Sequence, residues 1–436
     1  MKKVLVIAYS FPPMSSMGSH RVLRFVRHLR EFGWEPVVLT GKLTTGPLCD
    51  ERLLAKLPPD LDIHRIESPD LTELWAKLTR RGQSSVPAVA TNQSAPVKTQ
   101  GLTTFLNRWV MIPDKSFPWI RPAAAAGERL IREKNIAAIF STSDPLTDHL
   151  VALRLARRTG VPWVAEFRDL WLGSPYLARA HPTPIHRAIH TRLERQVVAG
   201  TKTIVCLSRG IQQYFTAAYP NCKTRSIYNC FDPEEYPPAP APEPGRFTVL
   251  YAGALYSSRS PVPFLDGWGR FMAQQQLTPD TAEFVILGGS SDLDLAAMAR
   301  QYGVEQSVKL AGRVTHVEAL RRMQAATVLL AIQSPDDDVH LPGKLFEYAG
   351  ARRPMLAVSR PCETAEIITN NQLGWVVEPD AAAVAAKVAE VYALWKEKGH
   401  AGLATQSADK FSIGESTRQL TNLLAEIVRA HAMVKD

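Results

Sequence analysis

The segment Pro342-Gly-Lys-Leu-Phe-Glu-Tyr-Ala-Gly350 places a small-residue turn, a cation and a carboxylate at a predicted helix start. The first turn of a helix leaves backbone N–H groups free to hold an anion. Lys344 adds positive charge, and Glu347, one turn later, can accept hydrogen bonds from vicinal sugar hydroxyls. The segment therefore suits a diphosphate joined to a sugar. The alternative is a glycine kept for packing, with the charges left on the surface.

A second small-residue turn follows the apolar run that begins at Val249. Gly253 allows a ligand to approach the backbone closely, and Arg259 can bind a phosphate through two parallel hydrogen bonds. This turn is a second candidate for phosphate binding. Tight packing around Gly253 is the structural alternative.

Polar residues also follow two β-type runs in the first half of the chain. Glu166, Arg168 and Asp169 lie at the end of one run, and the segment from Phe140 to His149 follows the other. Charged groups at the end of an apolar strand are costly unless they are paired or used. A structural Arg–Asp pair and a substrate site are both open, and His149 suits helix capping or packing as well as binding.

The turn after the first apolar run leads into an amphipathic helix. Ser16, Gly18 and His20 make this turn a candidate acceptor site. Arginines then recur every three residues, and we expect this stripe to contact anionic lipid. An ordinary turn and a solvated stripe are the alternative. The stripe consists of Arg21, Arg24, Arg27 and Arg30.

Other catalytic patterns have little support. Asp292-Leu-Asp294 could hold a divalent metal, but a helix start or surface loop explains it better. The sequence contains no GxSxG or HExxH motif and no Cys/His metal spacing. Its five cysteines include no CxxC pair, which favours a reducing compartment. We therefore predict no metal site.

The charge is concentrated in the first half of the chain. Residues 1–236 carry 32 Lys and Arg against 20 Asp and Glu, within a chain of 436 residues and net charge +9. Such an excess suits nucleic acid, a phosphorylated substrate or an anionic membrane surface. No apolar run approaches the length that crosses a bilayer.

Apolar β-type runs alternate with helical patterns, which predicts parallel sheets covered by helices on both faces. The runs form two sets, so we predict an α/β fold with two doubly wound domains facing a cleft. The domains are 1–236 and 247–408, joined by a Pro-rich linker at 237–246, with a final helix at 409–436. Residues 83–104 lack periodicity and predict no regular element. The predicted strands are Val4–Tyr9, Pro36–Thr40, Ile136–Thr142, Val161–Phe167, Thr203–Ser208, Arg225–Asn229, Thr248–Tyr256, Phe284–Gly289, Val308–Gly312, Val328–Ile332, Met355–Val358 and Trp375–Val377.

These motifs, in this order, resemble bacterial family-4 ("group 1") glycosyltransferases of the GT-B fold. The resemblance covers nearly the whole chain. It implies two Rossmann-like domains and a C-terminal helix that crosses back to the first. The motifs are Phe11-Pro-Pro with Gly18, Glu166-Phe-Arg-Asp-Leu-Trp171, Leu207-Ser208, Tyr228-Asn-Cys-Phe-Asp232, Gly253 with Arg259, Gly288-Gly289, Gly312-Arg313 and Gly343-Lys-Leu-Phe-Glu-Tyr-Ala-Gly350.

The resemblance implies a retaining transfer of a sugar from a nucleotide diphosphate sugar to a glycan or lipid-linked acceptor, in surface polysaccharide or glycolipid synthesis. No tightly bound cofactor is implied. Arg259 and Lys344 would stabilise the leaving diphosphate, and Asp169 would polarise the acceptor. The implied donor-binding residues are Gly18, Gly253, Arg259, Gly343, Lys344, Leu345, Phe346 and Glu347. The implied acceptor-binding residues are Ser16, His20, His149, Arg168 and Asp169.

The chain departs from the family pattern at three places. Val339 stands where the family has the first acidic residue of its paired-glutamate motif, Ala254 replaces a common arginine, and Arg168-Asp169 replaces a histidine. A sugar-nucleotide epimerase of the same fold and a non-catalytic binding partner are the alternatives. We expect a cytoplasmic protein, peripheral at the inner face of the plasma membrane through its basic first domain, with no nucleic-acid partner.

Overall fold

The computed structural model describes residues 1–42, 49–69, 109–239, 245–334, 337, 339–405 and 408–435. The chain divides into two compact units, Met1–Tyr228 with Thr417–Asp436, and Asn229–Ser416. The domain boundaries expected at 236, 246 and 408 stay predictions. The segment 83–104 and half of the Pro-rich linker lie outside the described residues.

The first unit contains a seven-stranded parallel sheet in the order β3-β2-β1-β4-β5-β6-β7. Its central strands are buried on both faces, as in sheets that helices cover on each side. The strands are β1 (Lys2–Ile7), β2 (Trp34–Gly41), β3 (Asp62–Ile66), β4 (Ile136–Thr142), β5 (Trp163–Phe167), β6 (Thr203–Cys206) and β7 (Lys223–Ser226). Its helices include α1 (Met17–His28), α2 (Ile120–Lys134), α3 (Thr147–Thr159), α4 (Pro175–Ala180), α5 (Pro184–Thr201) and α6 (Arg209–Ala218).

The second unit contains a six-stranded parallel sheet in the order β10-β9-β8-β11-β12-β13. An aromatic cluster that includes Phe264, Trp268 and Phe284 fills its core. The strands are β8 (Phe247–Ala252), β9 (Ala282–Leu287), β10 (Val308–Gly312), β11 (Val328–Ile332), β12 (Met355–Val358) and β13 (Gly374–Val377). Its helices include α7 (Val262–Gln274), α8 (Leu295–Gln301), α9 (His316–Ala325), α10 (Lys344–Ala351), α11 (Glu363–Asn370) and α12 (Ala381–Gly402).

The last helix, α13 (Ile413–Lys435), belongs to both units, because residues up to Ser416 group with the second unit and those from Thr417 with the first. Among the described residues, no helix has the length and apolar character needed to cross a membrane.

Both sheets reverse their strand order at one point. The reversal lies between β1 and β4 in the first unit and between β8 and β11 in the second. Ligands of doubly wound sheets bind beyond the carboxyl ends of the strands at such a point. The loops after these four strands are therefore the places to look for a site.

The predicted fold class is confirmed, and each predicted strand overlaps an observed one. The strand β3 was not predicted. Its sequence, Asp-Ile-His-Arg-Ile, has three polar residues, and all five residues are only partly buried because β3 lies at the edge of its sheet. Edge strands lack the continuous apolar run on which our strand predictions depend.

Candidate active site

The helix α10 follows β11 and carries the predicted donor residues. Lys344 Nζ lies 3.0 Å from Glu347 Oε2, so the cation and the carboxylate share one face of the first helical turn. Glu347 is 6% exposed, whereas Lys344 is partly exposed. The ion pair therefore holds the carboxylate of Glu347 at the start of the helix.

The backbone at the start of α10 is less open than the sequence suggests. Gly343 occupies the N-cap and provides no side-chain cap, which leaves amides for other partners. However, the Leu345 N–H donates to the Pro342 carbonyl over 3.0 Å. The side chains of Leu345 and Phe346 are buried in the core, both 1% exposed. Only the backbone of these two residues could contact a donor.

Two glycines bring the loop after β8 against Lys344. Gly253 has φ of 142°, and a Cβ built there would lie 3.7 Å from Lys344 Cε. Gly288, after β9, has φ of 138°, and its Cβ would lie only 2.0 Å from the Gly253 carbonyl oxygen. Both positions need glycine, because other residues rarely adopt this backbone conformation. The sequence predicted that a ligand comes close to Gly253. In the structure, the segments that carry Gly288 and Lys344 come close to it.

Arg259 acts on two buried tyrosines, Tyr251 and Tyr348, and Glu347 acts on the second of them. Burial raises the pKa of Tyr251, and the charge and hydrogen bond of Arg259 oppose this shift. Burial also raises the pKa of Tyr348, where the charge of Glu347 adds to the shift and that of Arg259 opposes it. Arg259 Nε is buried and has no hydrogen-bond partner among the described residues. Arg259, Lys344 and Glu347 therefore lie in one neighbourhood.

The two tyrosines were not predicted as site residues. The Tyr348 hydroxyl accepts a hydrogen bond from Ala252 N–H over 2.8 Å, which ties α10 to the end of β8. The Tyr251 hydroxyl donates to the Ala254 carbonyl over 3.0 Å and shapes the following turn. Tyr348 thus fixes the helix that carries Lys344, and Tyr251 fixes the turn that precedes Arg259. Tyr348 directly follows Glu347 in the sequence motif, and this adjacency could have identified it as a site residue.

In the first unit, Glu166 serves the structure. It is fully buried, and its Oε1 accepts from Arg21 Nε and Nη2 at 3.0 and 2.8 Å. Its Oε2 accepts from the Thr142 hydroxyl at 2.7 Å. Arg21 also donates to the carbonyl groups of Ile227 and Tyr228. This network joins α1 to the ends of β4, β5 and β7.

The predicted lipid-binding stripe on α1 is wrong. Arg21 and Arg24 are buried, at 1% and 4% exposure, and Arg30 forms ion pairs with Glu35 and Asp60. The three-residue spacing shows that these arginines share a helical face. It cannot show that the face turns inward, where buried charge requires partners.

Arg168 lies across the turn at the start of α1. A Cβ at Gly18 would come within 1.8 Å of Arg168 Nη1, so the guanidinium covers the position that a side chain would fill. Arg168 also donates to the carbonyl groups of Ser143 and Asp144, the latter at 2.9 Å. The structure thus gives Gly18 a packing reason to be glycine, and its contact with a donor stays a prediction.

Asp169 lies beside a carboxylate that was not predicted. Protein atoms pack densely around the Asp144 carboxyl although the residue keeps an exposed surface, and this desolvation raises its pKa to about 6. The charge of Asp169 adds to the shift and that of Arg168 opposes it. The exposed Asp169 and Asp144 therefore form a carboxylate pair with Arg168 as the nearby cation. Asp144 was not predicted because Ser-Asp-Pro is typical of an ordinary turn.

The remaining predicted acceptor residues divide into two kinds. Ser16 and His20 are partly exposed; Ser16 caps α1 by accepting from Ser19 N–H at 3.1 Å, and His20 Nε2 lies 3.2 Å from Ser15 Oγ. His149 is fully buried, with Nδ1 2.8 Å from Ser141 Oγ, and burial lowers its pKa to about 3. A neutral, enclosed histidine offers nothing to an acceptor, so His149 does not belong in an acceptor site.

The Asp-x-Asp segment at 292–294 acts as a helix start, as expected. Asp294 caps α8 by accepting from Ala297 N–H at 2.9 Å. The Asp292 carboxylate accepts hydrogen bonds from the backbone N–H and the hydroxyl of Ser257, at 2.9 and 2.6 Å. The sequence contains a second Asp-x-Asp segment, Asp336-Asp337-Asp338, which we expect to be a surface loop. Its Asp336 and Asp338 lie outside the described residues.

Two sequence-family models match the chain. The model described as "Glycosyl transferase 4-like domain" matches residues 18–230, and that described as "Glycosyl transferases group 1" matches residues 246–393. No curated protein sequence matches this chain.

Solved structures share the fold at low sequence identity. HepE of Anabaena, crystallised with UDP and glucose, is 13% identical with a TM-score of 0.61, over 98% of this chain and 100% of that one. Sucrose-phosphate synthase of Thermosynechococcus elongatus is 14% identical with a TM-score of 0.56, over 100% of this chain and 98% of that one. A Listeria monocytogenes protein assigned as a UDP-N-acetylglucosamine 2-epimerase is 12% identical with a TM-score of 0.56, over 97% of this chain and 95% of that one.

The two Rossmann-like domains and the structural neighbours define the fold as GT-B, and the family models define the class as glycosyltransferases. The chain belongs to the group 1, family-4 glycosyltransferases, since the two family models cover both of its halves.

Proposed function

We propose that the protein is a retaining glycosyltransferase that moves a sugar from a nucleotide diphosphate sugar to a glycan or lipid-linked acceptor. The pathway we propose is surface polysaccharide or glycolipid synthesis at the inner face of the plasma membrane. The observation that carries the donor assignment is the convergence of Arg259, Lys344 and Glu347 beside Gly253. Cations that converge on a helix start suit a diphosphate, and a neighbouring carboxylate suits ribose hydroxyls.

In this proposal, the second unit performs the electrostatic work of the reaction. Arg259 and Lys344 stabilise the negative charge that develops on the departing diphosphate, and the partly exposed backbone around Gly343 adds amide dipoles. The unpartnered Arg259 Nε supports this role, because a buried donor without a partner is costly unless a ligand supplies an acceptor. Glu347 accepts hydrogen bonds from the ribose.

We assign the acceptor to the first unit, near Ser16, His20, Arg168 and Asp169. Asp169 polarises the acceptor hydroxyl, and the adjacent Asp144 helps because its raised pKa suits proton exchange near neutral pH. A phosphate oxygen of the leaving group could take the acceptor proton instead, which would make the carboxylates orienting groups.

The structural neighbours support a uridine nucleotide as the first donor to test. HepE has been crystallised with UDP and glucose, and separately with UDP-glucose. A sugar-nucleotide epimerase remains a second candidate, since the Listeria monocytogenes protein shares the fold. Epimerisation needs acid and base groups around one sugar carbon but requires no acceptor.

A panel of sugar nucleotides, tested with and without a membrane lipid extract, separates these functions. A transferase releases nucleoside diphosphate far faster when both the correct donor and the lipid acceptor are present. Acceptor-independent conversion of one sugar nucleotide into its epimer would establish the alternative. Donor binding without turnover, even with acceptor, would indicate a non-catalytic partner.

Asp169→Asn sharpens the same assay. It should lower turnover with little change in donor affinity, because Asp169 acts on the acceptor. Asp266→Asn is the matched control, since Asp266 is a surface aspartate that pairs with Arg270 within α7. Equal turnover in the two variants would remove Asp169 from the mechanism.

A further inference from the structure

The helices α3 and α5 of the first unit pack side by side and expose charge of one sign only. Their only carboxylates, Asp148 and Glu194, are buried at 1% and 0% exposure. Every exposed ionisable side chain on the two helices is an arginine. These are Arg154, Arg157 and Arg158 on α3, and Arg187, Arg192 and Arg195 on α5. We call this surface the α3–α5 face.

Most of this charge is not neutralised by the protein. Among the described residues, Arg158 alone of the six forms an ion pair, with Glu128 at 3.0 Å. The neighbouring α2 differs, because its exposed Arg129 and Arg132 each pair with a glutamate one turn away. Clustered cations without counter-ions create a strong local field that attracts an anionic surface.

Two adjacent grooves make the α3–α5 face more than a flat patch. One groove, of about 820 Å³, lies along α5 and is lined by three arginines of that helix and by Arg157 of α3. The other groove, of about 850 Å³, is lined by apolar residues that include Phe117 and Leu150, and by arginines that include Arg154. Arg157 lines both grooves, so the basic and apolar regions are continuous.

Exposed apolar side chains accompany the arginines. Ile185, in the first turn of α5, is 60% exposed, and Phe117 is 37% exposed. Large apolar side chains gain free energy when they enter the acyl boundary of a bilayer, while guanidinium groups bind lipid phosphates at its surface. This combination favours a phospholipid surface over nucleic acid, because proteins bind single-stranded nucleic acid through positive charge and aromatic rings that stack on the bases.

We propose that the α3–α5 face docks the protein on an anionic phospholipid membrane. Its arginines bind lipid phosphates, and Ile185 and Phe117 enter the interface. This inference rests on the proposed lipid-linked acceptor, because such an acceptor resides in a membrane. It also places the basic membrane contact of the first unit on α3 and α5 instead of on α1.

The direct test is co-sedimentation of the full chain with phosphatidylcholine vesicles that contain about one third phosphatidylglycerol. The wild type should bind these vesicles in low salt and should not bind pure phosphatidylcholine. Arg157→Ser with Arg187→Ser should weaken binding by about 25-fold, at about fivefold for each charge lost. Arg129→Ser with Arg132→Ser is the matched control, with the same charge change on α2, and should bind nearly as the wild type does.

Three outcomes would overturn the proposal. They are an equal loss in the two double variants, no wild-type binding to anionic vesicles in low salt, and tighter binding of a single-stranded RNA than of the vesicles. UDP binding, measured without vesicles, should be the same in both variants. If the wild type failed to bind any sugar nucleotide while the vesicle results held, the proposed function would fail and the membrane surface would stand.

Discussion

The two units place opposite charges beyond the carboxyl ends of strands in the same kind of sheet. After β8 and β11, the second unit presents Arg259 and Lys344 beside two glycines. After β4 and β5, the first unit presents Asp144 and Asp169. A parallel sheet fixes where loops converge but not their charge. In our proposal, the second unit therefore holds the anionic leaving group and the first unit holds the hydroxyl that loses a proton.

The largest effect should come from the buried ion pair of the first unit. Arg21→Met leaves the carboxylate of Glu166 buried without its cation, so the free energy of unfolding should fall by about 3–5 kcal/mol. Denaturant unfolding measures this loss. Arg132→Met, which breaks an exposed pair with Glu128, should cost less than about 0.5 kcal/mol. Similar losses would show that Glu166 is hydrated and free for chemistry.

A smaller loss should follow from Gly288→Ala in the second unit. The new Cβ would overlap the Gly253 carbonyl, and alanine rarely adopts the backbone conformation of this position. The free energy of unfolding should therefore fall by about 3 kcal/mol. UDP affinity should fall too, because the loop after β8 must move. Gly289→Ala is the control, since its Cβ meets nothing within 4 Å. If both variants melt together, the two glycine turns are not closely packed.

The carboxylate pair should show itself in pH dependence. The pKa of Asp144 is about 6 in the folded protein and near 4 in an unfolded chain. The folded state thus holds the proton more tightly, and ionisation of Asp144 should reduce stability as pH rises from about 4 to about 6. Asp144→Asn should abolish that decline, as unfolding at several pH values would reveal.

The partner of Asp144 can be tested in the same way. Asp169→Asn should lower the pKa of Asp144, because it removes a neighbouring negative charge. Carbon NMR of the Asp144 carboxyl follows this titration directly. A midpoint that does not move would mean that the two carboxylates do not interact.

The smallest effect concerns Ser16, which caps α1. Ser16→Ala should cost about 1 kcal/mol of stability, and Ser16→Asp should retain most of it because aspartate also caps helices. If Ser16 also contacts the acceptor, both variants should raise the KM for the acceptor. An unchanged KM would limit Ser16 to its capping role.

The sequence predicted the sheets well because central parallel strands are continuous apolar runs. It missed β3, whose edge position tolerates Asp62 and His64. The proximity of Lys344 and Glu347 was predictable because both belong to one local motif. Asp144 was missed because its pairing with Asp169 joins two loops that only the sheet brings together. For the same reason, helical spacing could not show that Arg21 is buried against Glu166.

The central claim is that Arg259 and Lys344 neutralise a nucleoside diphosphate. Titration calorimetry of the wild type, Arg259→Met and Lys344→Met with UDP and with uridine tests it most directly. Each variant should lose about tenfold or more in affinity for UDP while its affinity for uridine is unchanged, because only the diphosphate contacts are removed. If both variants bind UDP as tightly as the wild type does, the second unit does not hold its donor in this way.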